Sequence, residues 1–211
     1  MGFFFYPRAM GSGVAFWTIS IAIAVGALSP GPSFIFVART AMQAGRRSGL
    51  KTALGMGLAG LLFAAMAALG LAALLVAAGP VFIALRVLGS VYLAYVGVSM
   101  LWHAKSPLKV GRDAKSRGEG VWSGFRTQVS NPKTVVVYAS VFASVMPHSP
   151  EPWLLATLPL TIGIIEGLWY VVLATLFSSK QASAAYAKAK PIIDRIAGAL
   201  MIVLALKLAI G

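Results

Sequence analysis

The chain has 211 residues, 59% hydrophobic and 11% charged, with a mean hydropathy of +0.85. A water-soluble domain of this length needs far more polar surface to cover its core, so the composition indicates an all-α integral membrane protein. The net charge of +13 lies in short stretches between apolar runs, which fits membrane topology and excludes a nucleic-acid stripe; the lack of cysteine excludes disulfides, thiolate metal sites and a cysteine nucleophile.

The opening "MGFFFYPRAM" does not read as a cleaved signal peptide, because the apolar stretch after it runs long and lacks a clear cleavage site; Met1 and Met10 both stand as starts. Six apolar segments follow, near Val14–Ala41, Leu50–Ala78, Val81–Trp102, Pro132–Met146, Trp153–Phe177 and Ile192–Ile210. Most reach the ~20 helical residues that cross a hydrocarbon core of ~30 Å.

The first segment is interrupted by Ser29-Pro30-Gly31-Pro32-Ser33. The two prolines remove backbone donors and push Ser29 and Gly31 out of helical geometry, freeing carbonyls near Gly26 and Leu28. Ser29 lies ~22 Å along the segment at ~1.5 Å per residue, deep in the bilayer. A break there is tolerated only when buried in protein or lining a polar cavity. Pro32 suits the first turn of a new half-helix, whose positive end would face an anion.

The second segment holds Gly55-Met56-Gly57-Leu58-Ala59-Gly60, which spells a dinucleotide fingerprint but lacks the strand that fingerprint requires. Ala53, Gly57, Gly60 and Ala64 are read instead as a helix-packing face, and glycine-rich faces of this kind suit a homodimer. In the third segment Arg86, like His103 and His148 at other segment ends, reads as interfacial. The stretch 103–131 is a basic loop and then a re-entrant lead-in over Val121–Ser130. The fourth segment starts at Asn131-Pro132-Lys133, a good N-cap followed by a good first-turn residue, and is too short to span. Lys133 next to a helix start opposes the dipole, and snorkelling to the cytoplasmic interface is the plainer reading of it.

The fifth segment carries Glu166 at its middle. Acids inside a membrane usually face a cavity or a partner and handle protons or substrate. Trp169 and Tyr170, three and four residues on, share its face and offer an aromatic wall to a cationic amino group. The other reading pairs Glu166 structurally with Arg39, Arg86 or Lys133.

Basic residues mark alternate loops: Arg46, Arg47 and Lys51; then Lys105, Lys109, Arg112, Lys115, Arg117 and Arg126; then Lys180, Lys188 and Lys190. The connections at Gly79–Pro80 and Pro147–Pro152 have no Lys or Arg. Positive loops stay in the cytoplasm, so both termini are expected in the periplasm. Pro32 aligned on Pro132 matches Ile35-Phe36-Val37 to Val135-Val136-Val137, and Arg86-Val87-Leu88-Gly89 resembles Arg195-Ile196-Ala197-Gly198. The expected fold is therefore six transmembrane helices as two inverted three-helix repeats, 14–102 and 132–210, the first helix of each broken or short.

Ser29-Pro30-Gly31-Pro32, Gly45-Arg46-Arg47-Ser48-Gly49-Leu50, Gly89-x-x-Tyr92-Leu93-x-Tyr95-x-Gly97 and Asn131-Pro132-Lys133 together resemble the lysine-exporter and threonine/homoserine-exporter family (LysE/RhtB) over about Phe16 to Leu208. The resemblance implies a bacterial inner-membrane exporter of amino acids driven by the proton gradient. The chain departs from the family after the fourth helix, with Met146-Pro147-His148-Ser149 in place of a frequent Pro-Gln-Phe.

On this reading Ser29, Pro30, Gly31, Pro32, Ser33, Asn131, Pro132, Lys133, Trp169 and Tyr170 form the substrate site and Glu166 couples the proton. The expected partners are a small amino acid and membrane lipid, with no nucleic acid, no cofactor and no metal. An intramembrane enzyme lacks a nucleophile–base pair, since Ser29 has no evident His or Lys base. A passive channel or a structural subunit remains as the alternative.

Overall fold

Helices are the only regular elements among the residues that the computed structural model describes, 11–77, 79–106, 120–147 and 149–210; the side chains of 71–86, 207, 208 and 210 lie outside that description. In chain order the helices are α1 (Ser12–Leu28), α2 (Pro32–Ala77), α3 (Gly79–Trp102), α4 (Val121–Val129), α5 (Pro132–Val145), α6 (Pro152–Phe177) and α7 (Lys180–Ile210). His148, the Arg86 side chain, Met1–Met10 and Lys109, Arg112, Lys115 and Arg117 fall outside the described residues.

The break at Ser29 forms as its two prolines dictate. Ser29 turns extended (φ −70°, ψ 127°), and its N–H returns to the Gly26 carbonyl at 3.4 Å. Pro30 cannot donate to continue the ladder, and Pro32 starts α2. At the second break the nine-residue α4 precedes α5, and Asn131 caps α5 as expected by accepting from the Lys133 N–H at 3.0 Å.

Two expected loops are helix instead. Arg46, Arg47 and Lys51 do not lie in a loop: α2 runs on past them, interrupted only at Gly45 (φ 84°, ψ 171°). A left-handed glycine redirects the chain within a single residue, so no loop is needed, and the three basic side chains are exposed on the following turns. The residues from Lys180 to Lys190 likewise form the first turns of α7, which passes through Pro191. Alanines at 182, 184, 185, 187 and 189 favour helix there. The buried pair Lys190–Asp194 (2.7 Å) spans the proline. Lys190 also donates to the His103 and Ala104 carbonyls at 3.1 and 3.3 Å, placing a cation on the negative end of α3.

The second part of α2 packs along α6, α3 along α7, α4 against α2, and α1 against α6. Gly57 serves as the packing face that its spacing suggests. A Cβ there would stand 2.9 Å from the Gly163 carbonyl oxygen and 2.8 Å from the Gly167 Cα, so α2 and α6 touch backbone to backbone. These glycines meet helices of their own chain, so pairing of two copies would use another surface.

Pro32–Gly70 within α2 and Pro152–Phe177 are long and apolar enough to cross a membrane; Ser12–Leu28, Val87–Trp102 and Pro132–Val145 are apolar and shorter. Leu58, Leu88, Val91, Ile164 and Leu168 are exposed on the outer faces, as a lipid-facing surface requires. Inside lie two apolar clusters, one around Ile23, Phe142, Leu158 and Ile162, the other around Phe34, Met56, Leu173 and Phe177.

Candidate functional site

The two helix breaks are joined to each other. Asn131, which caps α5 with its carbonyl oxygen, donates its Nδ2–H to Ser33 Oγ in the first turn of α2 at 2.8 Å, both side chains buried. The starts of α2 and α5 therefore meet at one point. Beside them is the C-terminal end of α1, with its carbonyls turned free by the prolines.

Those carbonyls find their partners on α5 and α6. Lys133 Nζ donates to the Ser29 and Gly26 carbonyls at 3.1 and 3.3 Å, and Trp169 Nε1 donates to the Ala27 carbonyl at 3.0 Å. Lys133 thus does not snorkel to the interface. It starts α5, where the dipole is unfavourable to a cation, and is compensated by the negative end of α1. Trp169 also corrects its expected place: its indole closes the end of α1 and is not part of the cavity wall.

A cavity of about 30 Å³ opens at this junction. A buried water requires ~10–15 Å³ on this scale, so there is room for roughly two. Ser29, Gly31, Ser33, Asn131, Lys133, Glu166 and Tyr170 all line it, drawn together from positions up to 141 apart in sequence (170 − 29). Pro30, Pro32 and Pro132 do not line it; they shape the backbone, and Pro32 and Pro132 are exposed. The lining takes Ile23 and Val137 from one apolar cluster and Phe34 from the other, so the cavity sits between them.

Glu166 is 3% exposed and makes no ion pair among the described side chains; the pairing with Arg39 or Lys133 is not formed. Its Oε2 accepts from Gln128 Nε2 at 2.8 Å. The carboxylate occupies the space left by Gly60, where a Cβ would overlap Oε2, and the Tyr138 hydroxyl borders the same space beside the carboxylate. Gly60 is thus more than a packing residue: its missing side chain is the seat of the acid.

The sequence reading missed Gln128, Thr134, Tyr138 and Gly60. Thr134 and Tyr138 stand four apart on one face of an apolar helix, a signal that was available. Nothing separates Gln128 from an ordinary interfacial polar residue until α4 is folded against α2. Among the described residues no group of His, Asp and Glu could hold a metal ion.

Helix ends meeting around a half-buried lysine and a buried carboxyl, within an apolar exterior, are features of a helical membrane protein. Comparison with known proteins agrees. The LysE type translocator family matches residues 24–211, and the chain belongs to that family. The threonine efflux protein of Escherichia coli (strain K12) is 30% identical over 88% of this chain and 92% of its own length. An uncharacterized membrane protein of the same strain is 28% identical over 85% of this chain and 82% of its own. The leucine efflux protein of Enterobacter sp. (strain 638) is 33% identical over 60% of this chain and 61% of its own. No solved structure matches.

Proposed function

We propose that this chain is a secondary transporter that exports a small amino acid or derivative from the cytoplasm. One observation carries the reading: a half-buried cation, Lys133, and a buried acid without an ion pair among the described side chains, Glu166, line the same small cavity. That charge arrangement complements a zwitterion. The substrate carboxylate takes an N–H of Lys133 together with Ser33 and the amides at the starts of α2 and α5. The ammonium takes Glu166 and the Tyr170 ring. The names of the relatives, threonine and leucine efflux proteins, support an amino-acid substrate.

Glu166 is the proton carrier in this scheme, because it is the one ionisable acid in the cavity lining. The cavity as it stands has the volume of about two waters and is too small for an amino acid, so a cycle must widen it first to one side and then to the other. Two inverted repeats, 14–102 and 132–210, with 103–131 leading into the second, supply such a motion. The packing of α2 along α6 and of α3 along α7, each against its counterpart in the other half, supports the repeats, and close glycine crossings make it possible. A Cβ on Gly57 meets the Gly163 carbonyl while one on Gly163 meets that of Gly57, and Gly97 and Gly198 face each other's carbonyls in the same way. Alternate basic stretches support an inner-membrane orientation with both termini periplasmic.

The test is efflux from proteoliposomes loaded with a panel of amino acids, with and without a pH gradient. Accumulation against a gradient, coupled to pH, is the expected result. Simple dissipation would instead make the protein a channel, and no flux of any amino acid would overturn the substrate class.

A further inference from the structure

We propose that Gln128 is a positioning residue that reads the protonation state of Glu166 and passes it to the joined helix breaks. The inference rests on the proton-carrying role given to Glu166 above. Gln128 is 1% exposed; its Nε2–H donates to Glu166 Oε2, while its own Oε1 is buried without a partner. An ionised carboxylate only accepts and so takes the amide N–H. A protonated carboxyl has an O–H to give and takes an acceptor. A side-chain amide offers both, exchanged by a half-turn about its terminal bond. The idle Oε1 is the acceptor kept for the protonated acid. On proton uptake the proton stays on the Glu166 oxygen, its O–H donates to Oε1, and Nε2–H turns away.

The geometry allows little else to move. A Cβ on Gly124 would fall on the Thr52 carbonyl, and one on Gly55 on the Val121 carbonyl, so the backbone of α4 is locked against α2. The amide then turns toward Tyr170, whose hydroxyl lies beside Gln128 and Ser33, and Ser33 already accepts from Asn131 at the second break. A change of charge on one carboxyl thereby reaches both helix starts through four side chains. The other titratable groups facing the carboxyl are Tyr138 and Lys133 from α5 and Tyr170 from its own helix. α2 presents Gly60, α1 and α4 present no charged group to the cavity, and Asp194 of α7 faces Lys133.

The experiment is infrared difference spectroscopy of the purified protein across a pH titration, which needs no substrate. The Glu166 carboxyl band is identified by its loss in Glu166→Gln. In Gln128→Met, which keeps bulk and removes both amide groups, this band should move to higher frequency, and pH-driven export should fall by about tenfold or more with exchange retained. If Gln128→Met does not fold, the wild-type protein with glutamine side-chain carbonyls labelled by 13C answers the same question. There an amide band must shift over the pH range in which the carboxyl titrates. A carboxyl band unmoved by Gln128→Met, a titration with no amide shift, or no titration at all overturns the proposal. A correct spectroscopic result in a protein that exports no amino acid would sink the transport reading alone.

Discussion

Glu166 and Gly60 form one structural unit made from a side chain and the absence of one. Replacing Glu166 with Gln keeps the shape and the hydrogen bond to Gln128 but removes titration. Export driven by a pH gradient should collapse, while exchange of labelled substrate at equal concentrations persists, because exchange moves no net proton. Uptake into inside-out vesicles, set against the amount of folded protein, measures this; full driven transport by Glu166→Gln at normal abundance would remove the residue from the mechanism. Gly60→Ala attacks the same carboxyl from the opposite helix. Its methyl would overlap Oε2, so the acid must leave its seat beside Tyr138. A single added methyl in a packed site costs ~1–3 kcal/mol. Coupling should therefore be lost with most of the protein still folded, whereas Gly70→Ala, with nothing within 4 Å, should behave as wild type.

At the scale of elements, the paired breaks make a separate claim. Pro32→Ala and Pro132→Ala restore donors at the two helix starts without touching the cavity wall, since neither ring lines it. Both should lower transport more than they lower folded protein in membranes, and normal transport by both at matched expression would reduce the breaks to packing features. The breaks were legible because proline acts locally: it removes an N–H wherever it stands. Lys133 was not, because its environment is supplied by α1, more than a hundred residues earlier, and only the folded chain brings the Gly26 and Ser29 carbonyls to it. The early start of α7 escaped for a similar reason. Pro191 and the lysines around it look like a loop until Asp194 and the end of α3 give Lys190 its partners.

For the whole molecule, orientation and the repeat are the claims to test. Single cysteines can be placed freely in a chain that has none. A membrane-impermeant reagent applied to intact cells should label cysteines near both termini and spare one at position 112. Labelling at 112 with protection of both termini would invert the topology. The alternation of basic stretches lies in the order of the residues and needs no structure to see. The reciprocal glycine crossings could not be seen in the same way, because a glycine in a sequence does not state which helix will lie against it. Helix count shows the same division. Apolar stretches mark what can enter a membrane, while the joining of two stretches through Gly45 depends on a single backbone angle.

The cavity, with one cation and one acid among its lining residues, has an electrical consequence. In the proposed cycle a zwitterion leaving through it would carry no net charge, so a proton returning on Glu166 would be the only charge displaced. Export would then be electrogenic, with a current drawn inward for every amino acid expelled. A membrane potential alone, with no pH difference, would supply ~2.3 kcal/mol per 100 mV to the process. In that cycle voltage as well as acidity would be a fuel, and a cell poised at neutral pH would still be able to empty itself of the substrate.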